Sequence, residues 1–145
     1  MRNHYFREGK GKNTIFTLNE ELYNKLIPIV YTGFPSPAED YVEKRIDLNE
    51  ILVSNPKSTF FMKVQGYSYN GLIQNNDILI IDCSLSPKNE NIIVIVNEGE
   101  FLIKKFIKKN DSYYLLNLKT QNVEIIDNSI EIWGVVTYVI HSTRR

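Results

Sequence analysis

From Thr59 onward, apolar and polar positions follow a strand period. Between Thr59 and Gln65, Phe60, Met62 and Val64 share one face, the period of two that marks a half-buried strand. Asp77 to Cys83 and Ile92 to Val96 are almost continuously apolar, as strands covered on both faces are. Glu98-Gly99 is a two-residue hairpin turn joining Ile92–Val96 to Phe101–Ile107, and Lys108 to Asp111 forms the next turn. Ser112–Leu118, Val123–Ile126 and Glu131–His141 complete a mainly β fold, a compact antiparallel sheet of about seven strands.

Upstream the pattern changes. The first dozen residues are polar and basic, with Arg2, Arg7, Lys10 and Lys12 and no period, so residues 1–32 are expected to form a flexible N-terminal arm ahead of a β-rich domain over 33–145. Asn19 to Leu26 predicts one helical turn that Pro28 stops. Ser36-Pro37-Ala38-Glu39 combines a capping residue, proline at the first helical position and glutamate at the third, which predicts a short helix through Lys44. Asp47-Leu48-Asn49-Glu50 repeats the capping pattern and puts Leu48, Ile51 and Leu52 on one helical face against the core, before Asn55-Pro56. No helix-turn-helix precedes the strands, which disfavours a self-contained DNA-binding repressor.

Composition narrows the chemistry. Lys+Arg and Asp+Glu balance at 17 each in 145 residues, so the basic footprint of a chain that grips DNA is missing and no direct sequence-specific DNA binding is expected. The single cysteine, Cys83, has no partner for an internal disulfide and ends an apolar run, where a small buried hydrophobe fits; a cytoplasmic location is expected. No apolar run approaches the roughly 20 residues that span a bilayer. His4 and His141 lie near the two ends, so a Ser-His-Asp triad or a histidine metal site would be built on a frayed end. A glycine-rich phosphate loop with its lysine is also missing, which removes nucleotide hydrolysis.

A serine and a lysine remain. Ser68 lies in Gly66-Tyr67-Ser68-Tyr69-Asn70-Gly71, and the run Glu100 to Ile107 carries Lys104 and Lys105 among Phe101, Leu102, Ile103, Phe106 and Ile107. Upstream, Thr32-Gly33 opens Gly33-Phe34-Pro35-Ser36-Pro37. A hydroxyl, an amine able to be its base and a peptide bond in a short arm are the parts of a protease that cuts itself. An ordinary lysine titrates near about 10.4, so a base at neutral pH has to lose about three units, a shift that burial supplies. Strand alternation sets Lys104 with Leu102 and Phe106, and Lys105 with Phe101, Ile103 and Ile107, so either lysine fits. The same residues also read as a turn serine and an exposed lysine pair on a strand edge.

Four stretches, Gly33 to Asn49, Asp77-Ile78-Leu79-Ile80-Ile81-Asp82, Gly99 to Lys105 and Trp133-Gly134-Val135-Val136, resemble the LexA-like family of Ser/Lys self-cleaving peptidases, and within it the UmuD-like subunits of translesion DNA polymerases. The resemblance covers about residues 30 to 141. It implies a LexA/signal-peptidase-like antiparallel β domain, Ser68 as nucleophile, Lys104 as general base, and a cleavage site at the bond between Thr32 and Gly33. It further implies no cofactor and no metal, a homodimer, a UmuC-like Y-family polymerase as partner, and stimulation by the RecA filament on single-stranded DNA during the DNA-damage (SOS) response. The chain departs from the family pattern where Tyr67 and Tyr69 flank Ser68 and where β-branched Thr32 precedes the scissile bond, so slow cleavage is expected. The alternative reading is a non-catalytic polymerase-interaction module that has lost efficient self-cleavage.

Overall fold

The structure, a computed structural model, describes residues 47–66 and 71–144. The arm, the turn expected at 19–26 and the helix expected at 36–44 lie outside these residues. Among the described residues a helix lies in one unit, which ends at Ser54, and the strands lie in a second, which runs from Asn55.

The helix, α1, spans Leu48–Leu52 and starts where its cap predicts, with Asp47 Oδ1 accepting the Asn49 N–H at 2.9 Å. Its expected three-residue apolar face is reduced, because Ile51 is buried whereas Leu48 is 56% exposed. Five residues make little more than one turn, too short for a full apolar stripe.

Among the described residues seven strands form one sheet: β1 (Thr59–Lys63), β2 (Ile78–Asp82), β3 (Ile92–Asn97), β4 (Glu100–Lys109), β5 (Ser112–Leu116), β6 (Val123–Ile125) and β7 (Glu131–Ile140), in the order β1-β2-β7-β3-β4-β5-β6. Every neighbouring pair is antiparallel. The mainly β expectation holds, and the hairpin at Glu98-Gly99 has positive φ at both residues (50° and 79°) between paired Asn97 and Glu100, the backbone that two-residue hairpins favour. The next turn is tighter than expected. It takes only Asn110 and Asp111, again at positive φ, while Lys108 and Lys109 stay in β4, paired with Tyr113 and Ser112.

The apolar runs are buried on both sides. Ile93 and Ile95 of β3 join Phe106, Leu115, Ile132 and Val135 in one cluster, and Val94 between them joins Val64, Ile73, Leu79, Ile81, Cys83 and Leu118 in another. Cys83 is buried and in no disulfide, as its apolar surroundings predict. Strand β7 bulges twice against these neighbours. Thr137 is extra between Tyr138, opposite Ile80, and Val136, opposite Ile81; Trp133 is extra between Gly134, opposite Val94, and Ile132, opposite Ile95. Such bulges add twist and bend the strand. The Thr137 hydroxyl donates to the Ile80 carbonyl at 3.2 Å. Gly134 is required by close approach, because a Cβ there would sit 2.5 Å from Ile81 Cγ2 and 3.2 Å from Cys83 Sγ.

The far end of β2 is closed by a buried carboxylate. Asp82 accepts hydrogen bonds from the Ser58 and Ser84 hydroxyls, the Ser84 amide and the Asn55 side chain, so its charge is solvated by the protein. No helix among the described residues is long and apolar enough to cross a membrane.

Candidate active site

Strand β4 presents its lysines to opposite faces, and the two environments differ. Lys104 shares the face of Phe106 and is 8% exposed, whereas Lys105 is only half-buried. Burial therefore separates two lysines that alternation left equal. Lys104 lines a groove of about 390 Å³ together with Met62, Lys63, Val64, Gln65 and residues 117–120. Its Nζ lies 3.8 Å from Glu124 Oε1, its one ion-pair partner among the described residues.

Pairing register explains that contact. Phe106 faces Leu115, and Leu115 faces Glu124 across β5 and β6; Lys104 is two residues from Phe106 and so on the same face. Glu124 was not singled out from sequence. Its signal is the polar residue inside the apolar triplet Val123-Glu124-Ile125, legible only once the order β4-β5-β6 is known.

The groove's lining reaches Gln65, at the start of the 65–76 stretch. Val64 donates its amide to the Asp77 carbonyl at 2.8 Å, and Asn76 donates to the Val64 carbonyl at 2.8 Å, tying together the two ends of the 65–76 stretch. Gly66 N–H is accepted by Asn75 Oδ1, and Gln74 N–H by Asp77 Oδ2, each at 2.8 Å. Ser68, Tyr67, Tyr69, Thr32 and Gly33 lie outside the described residues, so of the expected site residues only Lys104 has a described environment.

His141 corrects the expectation of a frayed end. It follows β7 directly, and its Nδ1 lies 2.7 Å from Oδ1 of Asp77, which is 1% exposed. The sequence gives little hint of this contact, because the two residues are far apart and meet only through the β2–β7 register that pairs Ile78 with Ile140. Chemically the described part of the site offers a buried amine beside an open groove and, at the base of the neighbouring segment, a carboxylate-bound imidazole. Among the described residues, no cluster of His, Cys, Asp and Glu is arranged to hold a metal ion.

The chain is 38% identical to Protein ImpA of Salmonella typhimurium over 122 residues, covering 78% of this chain and 79% of that protein. It is 35% identical to Protein MucA of Escherichia coli over 113 residues, 75% and 77% of the two chains. Against the LexA repressor of Glaesserella parasuis identity is 30% over 129 residues, 86% of this chain and 61% of the repressor. The Peptidase S24-like family model matches residues 16–137. The chain belongs to the Peptidase S24-like family, and the resemblance read from its motifs is borne out.

Proposed function

We propose that this chain is a self-cleaving serine peptidase subunit of a translesion, error-prone DNA polymerase, cutting its own Thr32–Gly33 bond. Ser68 is the nucleophile and Lys104 the general base. The observation that carries the reading is the burial of Lys104, 8% exposed, beside a groove also lined by Val64 and Gln65. Burial is what a lysine base requires, because removing water disfavours the charged amine.

In its neutral form Lys104 takes the Ser68 proton as the Ser68 oxygen bonds to the Thr32 carbonyl carbon. Collapse of the adduct breaks the bond to nitrogen, and the proton passes from Lys104 to the departing Gly33 amine. Water, activated by the same lysine, then hydrolyses the acyl-enzyme and releases residues 1–32. Because bond and nucleophile share one chain or one homodimer, docking of the arm governs the rate. By resemblance to UmuD-like subunits, a RecA filament on single-stranded DNA favours the docked state, and the shortened product joins a UmuC-like Y-family polymerase.

Incubation of the full chain at about pH 10, where more lysine is neutral, is expected to yield a fragment beginning at Gly33 by mass spectrometry. Ser68→Ala and Lys104→Ala abolish it. Persistence of the fragment in both variants sinks the dyad, and its failure to form in the unmodified chain, with polymerase binding retained, favours the non-catalytic module.

A further inference from the structure

The stretch that carries Ser68 is held at its neck by a path of hydrogen bonds that starts just past the end of β7. We propose that His141, acting through Asp77, is a positioning residue that sets the geometry of the Ser68 turn. The proposal rests on the reading of Ser68 as the nucleophile.

Backbone bonds close the neck, with Val64 donating to the Asp77 carbonyl and Asn76 to the Val64 carbonyl, each at 2.8 Å. Val64 and Ile73 are buried in one apolar cluster, which seats both sides of the stretch. A polar path then leads toward the turn. His141 Nδ1 lies 2.7 Å from Asp77 Oδ1, where an ionised carboxylate can only accept. Asp77 Oδ2 accepts the Gln74 amide at 2.8 Å, and Asn75 Oδ1, one residue further on, accepts the Gly66 amide at 2.8 Å. Gly66 stands two residues before Ser68. Gly66 and Gly71 bracket the turn at φ of 93° and 76°, a left-handed backbone that glycine adopts without strain, so the directions in which the chain leaves and re-enters the neck are set at two described residues. Asp77 is 1% exposed, and a buried acceptor deprived of a donor is costly, which favours keeping each of its bonds made. Asp77 thus joins three parts: β2, which it directly precedes, the neck of the turn, and, through His141, the end of β7. A reacting group misplaced by about 1 Å loses about a hundredfold in rate, so a tie that fixes the neck is within reach of the chemistry. The role asks the imidazole only to donate a hydrogen bond.

First-order self-cleavage of the full chain at one alkaline pH, expressed per folded molecule, reads this role. His141→Ala is expected to slow it about tenfold, between no effect and the loss that a full 1 Å misplacement causes. His141→Asn is expected to restore most of the rate, because its amide nitrogen hangs from Cγ as Nδ1 does and donates to Asp77 without being a base. An Asn variant as slow as the Ala variant, or an Ala variant at the unmodified rate, overturns the proposal. Asn75→Ala keeps the pair and removes the acceptor of the Gly66 amide; Asn75 is exposed, which keeps this variant folded should His141→Ala unfold. It is expected to slow cleavage to a similar degree, and together with His141→Ala to fall short of the product of the two effects. Effects that multiply in full overturn the path. A second readout is independent of cleavage: in Ser68→Ala chains, amide hydrogen exchange over residues 65–76 is expected to be about tenfold faster with His141→Ala and unchanged with His141→Asn. Equal exchange in all three chains overturns the positioning role. If no chain cleaves and the exchange pattern holds, the nucleophile assignment fails and the tie stands.

Discussion

Asp77 and His141 hold the base of the segment that contains Ser68, and their coupling is measurable. Asp77 is 1% exposed and accepts from His141 at 2.7 Å and from the Gln74 amide at 2.8 Å. Replacing His141 by alanine removes one partner of a buried acceptor, a loss of about 1–3 kcal/mol. The imidazole is 37% exposed, so water enters where the ring was and the effect belongs at about 1–2 kcal/mol. Asp77→Ala removes the carboxylate itself and strips the Gln74 amide of its acceptor, so its effect is larger, about 3 kcal/mol. In the double variant the pair is lost only once, and the two effects fall short of additivity by about 1 kcal/mol. Urea denaturation of the four chains reads these values; with a slope of about 1.5 kcal/mol per molar, Asp77→Ala lowers the midpoint by about 2 M. Should Asp77→Ala not fold, Asp77→Asn serves in the same cycle. Additive losses would refute the coupling. In the same chains His141→Ala is expected to retain cleavage at alkaline pH whenever it is folded, and a folded, inactive His141→Ala would mean that the imidazole is needed for cleavage, by position or as a base.

Two further substitutions test packing and titration. Gly134→Ala forces a methyl to within 2.5 Å of Ile81 Cγ2, a fully buried and β-branched side chain with little room to turn; a loss of about 1–3 kcal/mol is expected, read as a lowered melting temperature in calorimetry. The Ser129 hydroxyl, and after it the Ser129 amide, holds the Asp127 carboxyl below its ordinary 3.8. A carboxyl lowered by folding contributes stability that is present above the unfolded value and is lost as pH falls through the folded one. Ser129→Ala is expected to raise the Asp127 titration midpoint in carboxyl NMR and to narrow that acid window; an unmoved midpoint contradicts the assignment.

The strands were legible because burial on both faces leaves uninterrupted apolar runs, as in Leu79 to Ile81 and Ile93 to Ile95, and because Glu98-Gly99 marks a turn whose backbone needs positive φ. Local chemistry also marked the α1 start, since Asp47 caps within two residues. What stayed hidden depends on pairing order. Lys104 and Lys105 are equivalent to any local rule, and their environments diverge only through the pairing order, which sets Ile93, Leu115 and Glu124 on the Lys104 face. Glu124 reaches Lys104 through two registers, and His141 reaches Asp77 through the β2–β7 ladder. The bulges at Trp133 and Thr137 are likewise invisible in a strand pattern, because an extra residue is recognised only against the partner it fails to pair with.

Docking of the arm is the threshold on which the proposed cleavage turns; at about 1% occupancy, a partner that favours docking gains at most about a hundredfold. On that reading the control lies in where the arm sits and not in the proposed dyad, so a chain that carried its own substrate would stay quiet until a partner raised the docked fraction.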